Sequence, residues 1–215
     1  MIELDNISKN YNSIVLFKDL SLKLETGKKI LIQGPNGSGK SVLLKMLVGY
    51  SQISNGKIFI ENKQLGKDLE FIPNSGISIN APEFCSNLTG MDNLLYLSKI
   101  RKIATKEEII MLAKKFHLDK DLNKKYKTYS LGMKQKMRII QALMDKPKYL
   151  ILDEPFDNLD KESQEQAIEL LNEFINKDTM LIFTSHNSEY EKFADNIYKI
   201  NDYKLEKIKW LIYIA

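Results

Sequence analysis

The sequence has 215 residues, 43% hydrophobic and 28% charged, with 32 lysines and arginines against 28 aspartates and glutamates for a net charge of +4. These proportions suit one globular α/β domain with room for a subdomain, and no apolar run approaches the roughly 20 residues of a membrane-spanning helix. The opening Met1-Ile2-Glu3-Leu4-Asp5 lacks a basic start and apolar core, so no secretion signal is expected, and arginine occurs only at Arg101 and Arg138, which gives nucleic-acid binding little support.

In chain order, Ile2-Glu3-Leu4-Asp5-Asn6-Ile7 alternates and Leu20-Ser21-Leu22-Lys23-Leu24 alternates more cleanly, so both read as antiparallel strands, with Gly27 marking the next turn. Lys29-Ile30-Leu31-Ile32 is a short apolar run suited to a buried strand. Gly34-Pro35-Asn36-Gly37-Ser38-Gly39-Lys40-Ser41 follows it, with every position of a phosphate-binding loop filled. The glycines let backbone N–H groups turn inward onto phosphate oxygens where a Cβ would clash. Lys40 can reach the β- and γ-phosphates, and the Ser41 hydroxyl can ligate Mg²⁺. Val42-Leu43-Leu44-Lys45-Met46-Leu47 continues as a helix whose positive dipole end adds to the anion site. A strand over residues 56–60 and a turn over 62–66 come next.

From about residue 88 to 145 the character is helical. Thr89 and Thr105 each stand as an N-cap with an acid three residues on, at Asp92 and Glu108, ahead of apolar positions. Cys85, the single cysteine, cannot form an internal disulfide and reads as a buried or incidental thiol in a reducing compartment. His117 reads as structural or surface, and the lysine cluster at 124–127 as a solvated face, with anionic lipid as its alternative partner. Ser130 is placed to cap a helix over 131–144, with Gly132 two residues on. That start is either an ordinary cap or a second anion-binding device. One monomer has no evident need for two phosphate sites, and a dimer in which each chain's second site meets the other's ATP resolves the excess.

Strand character returns at Tyr149-Leu150-Ile151-Leu152, which ends in Asp153 and Glu154; a helix over 163–175 and a strand over 180–183 follow, and then His186. Apolar strands separated by helices imply a parallel sheet covered on both faces. In a P-loop ATPase an Asp at such a strand end helps to hold Mg²⁺, the reading for Asp153. Glu154 is placed to polarise the water that attacks the γ-phosphate. His186 can hydrogen-bond that phosphate; alone, it would read as a surface histidine after a strand. The apolar ending at 209–215, with the only tryptophan, Trp210, reads as a segment packed on the core.

Taken in order, these motifs resemble the nucleotide-binding subunit of an ABC (ATP-binding cassette) transporter over roughly residues 1–206. Tyr11 matches the aromatic that stacks on adenine, residues 34–41 Walker A, 150–154 Walker B, Asp157-Asn158-Leu159-Asp160 the D-loop, and His186 the switch histidine. Tyr129-Ser130-Leu131-Gly132-Met133 matches the signature motif in variant form, with Ser130 and Gly132 retained. Aligning residues 76–82 with the γ-phosphate loop puts Asn80 where the family usually has Gln, one methylene longer.

The resemblance implies an α/β P-loop NTPase fold with a parallel core sheet, an N-terminal antiparallel β subdomain and an inserted α-helical subdomain. Core and β subdomain would fall at 1–80 and 146–206, the helical signature subdomain at 81–145, and a tail at 207–215. It implies ATP and Mg²⁺ as cofactors. Tyr11, Gly34, Pro35, Asn36, Gly37, Ser38, Gly39, Lys40 and Ser41 would bind nucleotide, completed by Ser130 and Gly132 of a second copy. Ser41, Asp153 and Asn80 would serve the metal, and Glu154, His186 and Asn80 catalysis. The partners implied are a second ATP-binding subunit, as a homodimer, and a membrane permease at the cytoplasmic face, with no nucleic acid. The variants, together with the stretch 87–94, resemble bacterial exporters of lantibiotics and bacitracin-type peptides. The alternatives are a soluble non-transport ABC ATPase and a regulatory module that senses ATP without turning it over.

Overall fold

The computed structural model describes residues 1–12 and 14–208. The chain begins with β1 (Ile2–Tyr11) and β2 (Ile14–Leu24), then crosses to β3 (Lys29–Gln33), the glycine loop and α1 (Lys40–Val48). It returns to the first sheet with β4 (Asn55–Ile60) and the two-residue β5 (Lys63–Gln64), then forms β6 (Ser75–Ser78). Helices α2 (Gly90–Arg101), α3 (Lys106–Lys115) and α4 (Leu131–Leu143) follow. The last elements are β7 (Tyr149–Leu152), α5 (Lys161–Phe174), β8 (Met180–Ser185), β9 (Asn196–Asn201) and β10 (Lys204–Lys207). Ile208 hands its N–H to the carbonyl of Ile197 beyond the last strand. The expectation for 209–215 lies outside the described residues.

The described residues form two sheets: a four-stranded one in the order β2-β1-β4-β5 and a six-stranded one in the order β10-β9-β3-β8-β7-β6. In the second, β6, β7, β8, β3 and β9 are mutually parallel and only β10 turns back. The expected pairing of a parallel core sheet with an N-terminal antiparallel one is therefore present. The central strands read as continuous apolar runs because both faces are covered. Leu31, Leu150, Leu152, Leu181 and Phe183 face a core shared with residues of α2 to α5. Ile30, Ile32, Ile151 and Ile182 face α1 and the antiparallel sheet.

Register places the chemistry. Gln33 lies opposite Ser185, Leu152 opposite both Phe183 and Ser78, so β3, β8, β7 and β6 end along one edge of the sheet. Ligands of open α/β sheets bind outside the carboxyl ends of the strands. The residues that follow these four strands carry the motifs.

The helix starts follow their caps. Thr105 and Glu108 form a full capping box at α3, whereas at α2 Thr89 Oγ1 accepts the Asp92 N–H without the reciprocal half. Asp160 caps α5, which therefore starts at Lys161, two residues before the predicted 163. Cys85 is exposed, not buried. No helix among the described residues is long and apolar enough to cross a membrane.

The strand at β6 was not expected, because Ser-Gly-Ile-Ser carries no apolar run. Its packing explains the composition. A Cβ on the buried Gly76 would stand 1.8 Å from the Ala142 carbonyl oxygen and 2.8 Å from Pro147 Cγ, so only glycine lets β6 lie this close to α4. Gly76→Ala is expected to destabilise the fold by about 3 kcal/mol, at the upper end of overpacking costs. Its thermal midpoint should drop by about 6–12 °C for a chain of this size. An unchanged midpoint in calorimetry would contradict the close approach.

Candidate active site

The glycine loop joins the end of β3 to the first turn of α1. Gly37 and Gly39 adopt left-handed φ values of +81° and +97°, which only glycine reaches without strain. A Cβ at Gly34 would meet Ser38 Oγ at 2.5 Å. The loop thus closes into a cradle, and Ser38 Oγ is buried in it without a hydrogen-bond partner among the described residues. A cavity of about 390 Å³ opens here, lined by Leu16, Asn36, Gly37, Gly39, Lys40, Ser41, Val42 and Glu154. A larger cleft of about 600 Å³ lies between α5 and residues 187–193. It has neither a glycine cradle nor the strand-end carboxylates, so the smaller cavity is the candidate site.

Lys40 is 6% exposed and turns back into the cradle. Its ammonium donates to the carbonyls of Gly34 at 2.8 Å and Pro35 at 3.2 Å and lies 3.2 Å from Glu154 Oε1. The other Glu154 oxygen, Oε2, lies 3.3 Å from His186 Nδ1. Elements far apart in sequence, β3–α1, β7 and β8, therefore meet at one carboxylate. Glu154 has a left-handed φ of +46°, uncommon outside glycine, and its conformation is held from two sides. Its N–H donates to Thr184 Oγ1 at 2.9 Å, and Gln135 Nε2 donates to its carbonyl at 3.3 Å and to that of Pro155 at 2.9 Å.

Asp153 is fixed by the same hydroxyl: Thr184 Oγ1 donates to its Oδ1 at 2.7 Å, while the Asn80 N–H donates to Oδ2 at 3.3 Å. Asn80 and Ala81 both have positive φ, which turns the chain sharply after β6. The Asn80 contact to Asp153 is through its backbone, and its side chain is exposed. Burial, then the charge of Glu154, hold the Asp157 carboxyl above the usual carboxylate range. Glu154, Asp157 and His186 bring ligand-type atoms within 4.8 Å of one another.

Ser130 and Gly132 stand elsewhere. Ser130 caps α4, accepting the Met133 N–H at 3.2 Å, and a Cβ at Gly132 would meet the Asn158 carbonyl at 3.1 Å. Leu131 between them is 66% exposed, so this helix start faces outward. Tyr11 lies at the end of β1, half exposed, with Lys9 Nζ 4.4 Å above its ring and Ser51 Oγ 3.5 Å from its hydroxyl. It is not part of the cavity wall; Leu16 and Val42 are.

Sequence reasoning missed Thr184, Leu16 and the role of Gln135. For Thr184 a signal existed. Thr184 and Ser185 close a fully buried strand whose other residues are apolar, and a buried hydroxyl needs a partner; for Thr184 the partners are the backbone N–H of Glu154 and the carboxylate of Asp153.

The family described as ABC transporter matches residues 17–157 of the chain. Among curated relatives, the ABC transporter ATP-binding protein YybJ of Bacillus subtilis is 32% identical over 214 residues, covering 99% of this chain and 98% of its own. The lantibiotic transport ATP-binding protein SrtF of Streptococcus pyogenes is 31% identical over 199 residues, covering 92% of this chain and 85% of its own. Among solved structures, the dimeric post-hydrolysis state of the ATP-binding cassette MJ0796, bound to ADP and Pi, superposes with a TM-score of 0.85 at 22% identity. It covers 98% of this chain and 100% of that one, and shows likeness of fold.

Proposed function

The chain belongs to the ABC transporter family as an ATP-binding, ATP-hydrolysing subunit, and from that premise we propose that two copies close head-to-tail over ATP and drive a separate membrane permease. The observation that carries the reading is Glu154, with Lys40 at 3.2 Å on one carboxylate oxygen and His186 at 3.3 Å on the other, at the mouth of the glycine cradle.

The triphosphate occupies the cradle of residues 34–41, where the inward N–H groups and the start of α1 favour anions. Lys40 exchanges the Gly34 and Pro35 carbonyls and the Glu154 carboxylate for phosphate oxygens. That exchange frees Glu154 to take a proton from the attacking water. His186, at hydrogen-bond range of Glu154, links the base to the γ-phosphate. The adenine stacks on the half-exposed ring of Tyr11.

The donor set suits Mg²⁺: the hydroxyl of Ser41 and the carboxylate of Asp153 are hard oxygen ligands, and the unpartnered Ser38 Oγ supports a cradle that takes a polar guest. When bound, the ion supplies neutralisation of developing phosphate charge. Asn80 stands beside that site through its backbone contact to Asp153, and its side-chain amide, one methylene shorter than Gln, would serve the metal through a bridging water.

The outward-facing start of α4 is the surface each copy offers the other. Its Ser130 hydroxyl and Gly132 N–H meet the partner's γ-phosphate and, on closing, exclude bulk water. Supporting the permease is a groove of about 340 Å³ beside the loop that follows Asn80. Phe84 and Leu97 line it together with Tyr50 and Tyr96, 58% and 66% exposed. Exposed apolar clusters of this kind mark partner contacts. One side of the groove is the Pro82–Cys85 segment, so a seated permease is joined to the γ-phosphate loop. The chain thus works as a peripheral subunit at the cytoplasmic face of the membrane. SrtF, a lantibiotic transport protein, supports transport over the non-transport alternative, with export as the proposed direction.

The test is the ATPase rate per chain against protein concentration. A composite site gives a rate that climbs with concentration and then levels as dimers saturate. A measurable rate that stays flat down to nanomolar concentrations would overturn the head-to-tail dimer. Co-purification with a polytopic membrane protein would support the permease.

A further inference from the structure

Arg138 is one of only two arginines in the chain, and it is buried. A buried guanidinium is costly unless its donors are paired. Here three of its five donors have partners on separate parts of the fold. Nε donates to the Pro82 carbonyl, Nη2 to Glu83 Oε1, and Nη1 to Gln135 Oε1, each at 3.1 Å. Gln135 and Arg138 stand three apart on α4, so their side chains share one face. Pro82 and Glu83 belong to the loop that Asn80 begins.

The third contact has a directional consequence. A side-chain amide can turn end for end, presenting either its oxygen or its NH₂. With Arg138 donating to Oε1, the Gln135 NH₂ must face the other way, onto the carbonyls of Glu154 and Pro155. That is the sense needed to hold Glu154 in its left-handed conformation. Without the guanidinium the two carbonyls alone select that sense, and the Oε1 end of the amide loses the donor that ties it to the loop.

We propose that Arg138 is a positioning residue for ATP hydrolysis: it locks the Gln135 amide, and through it the backbone of Glu154, to the loop that carries Asn80. This inference rests on the proposed role of Glu154. A change in that loop, whether from nucleotide or from a partner in the adjoining groove, reaches the base through one guanidinium and one amide.

The experiment is steady-state ATPase kinetics on the purified chain, with thermal midpoints, for Arg138→Met, Arg138→Lys, Gln135→Leu and the Arg138→Met/Gln135→Leu pair. In Arg138→Met, kcat should fall about tenfold, the factor that one lost net hydrogen bond of orientation corresponds to. KM for ATP should stay within about twofold, because no nucleotide contact is removed. Arg138→Lys, which keeps the charge and loses the fork, should recover only part of kcat. The double variant should lose no more than the worse single, since both act on one chain of contacts. An unchanged kcat in Arg138→Met, or losses that multiply in the double variant, would overturn the inference and leave the function standing. A wild-type chain without ATPase activity would overturn the proposed function and this inference with it. If Arg138→Met fails to fold, Arg138→Lys carries the test; if neither folds, the residue is structural and the inference fails.

Discussion

Lys40→Ala is expected to lower ATP hydrolysis by about 10²–10³-fold, the range seen when one preorganised electrostatic partner of a transition state is removed. The residue is 6% exposed and turned inward, so its charge acts with little solvent screening. In the present arrangement it stands where phosphate oxygens would, held by two loop carbonyls and a carboxylate. Loss of the ammonium removes the one lysine that lines the cradle among the described residues and leaves the Glu154 carboxylate facing the incoming phosphates without that cation. Binding suffers along with turnover. In the wild type, ATP at a hundred times its dissociation constant adds about 2.7 kcal/mol of stability. For a chain of this size that raises the thermal midpoint by about 5–11 °C. The alanine variant should show almost no rise at the same ATP concentration. Its own midpoint should move little, because the freed carbonyls border an open cavity where water replaces the ammonium. A variant that keeps both the ATP-induced rise and the rate would remove Lys40, and the cradle with it, from the site.

Much of this site was legible because its residues are local strings with a fixed physical job. The glycine loop needs left-handed backbone at Gly37 and Gly39, and the sequence supplies glycine at both. Asp153 and Glu154 follow an apolar run, and His186 follows another, so register alone brings them to one edge. What stayed hidden is of two kinds. The first is irregular pairing. β1 and β2 run longer than their alternation suggests, because bulges between Leu4 and Ile7 and again near Lys9 shift the period. β6 is short, small-residue and polar, and it is a strand because Gly76 fits against α4 rather than by any pattern of its own. The second is contact between distant side chains. Thr184 bridges Asp153 and Glu154, and Arg138 reaches Pro82 and Glu83, over separations that no periodicity encodes.

Glu154→Gln is expected to lower turnover by about 10²–10⁴-fold, the usual contribution of a positioned general base, while leaving ATP binding at least as strong. The amide matches the carboxylate in shape, so the contacts that set its backbone, from Thr184 and Gln135, persist. What disappears is the charge. An amide does not accept a proton from water at neutral pH, so the chemical step stalls. The Lys40 contact also weakens from an ion pair to an ordinary hydrogen bond, and the ammonium is released more readily to phosphate. Both changes favour the ATP-bound closed dimer: one slows its exit, the other lowers the cost of its entry. A ligand shifts an equilibrium only by its differential affinity for the two states. ATP should therefore move this variant from monomer to dimer in size-exclusion chromatography, and ADP, which lacks the γ-phosphate that Ser130 and Gly132 would contact, should not. His186→Ala should weaken hydrolysis less, since Glu154 then retains the charge that accepts the proton. The order of the two losses separates base from orienting group. Equal rates in wild type and Glu154→Gln would transfer the base to another group near the cradle, and Asp157, whose carboxyl pKa is raised by burial and by the charge of Glu154, would be the first to examine.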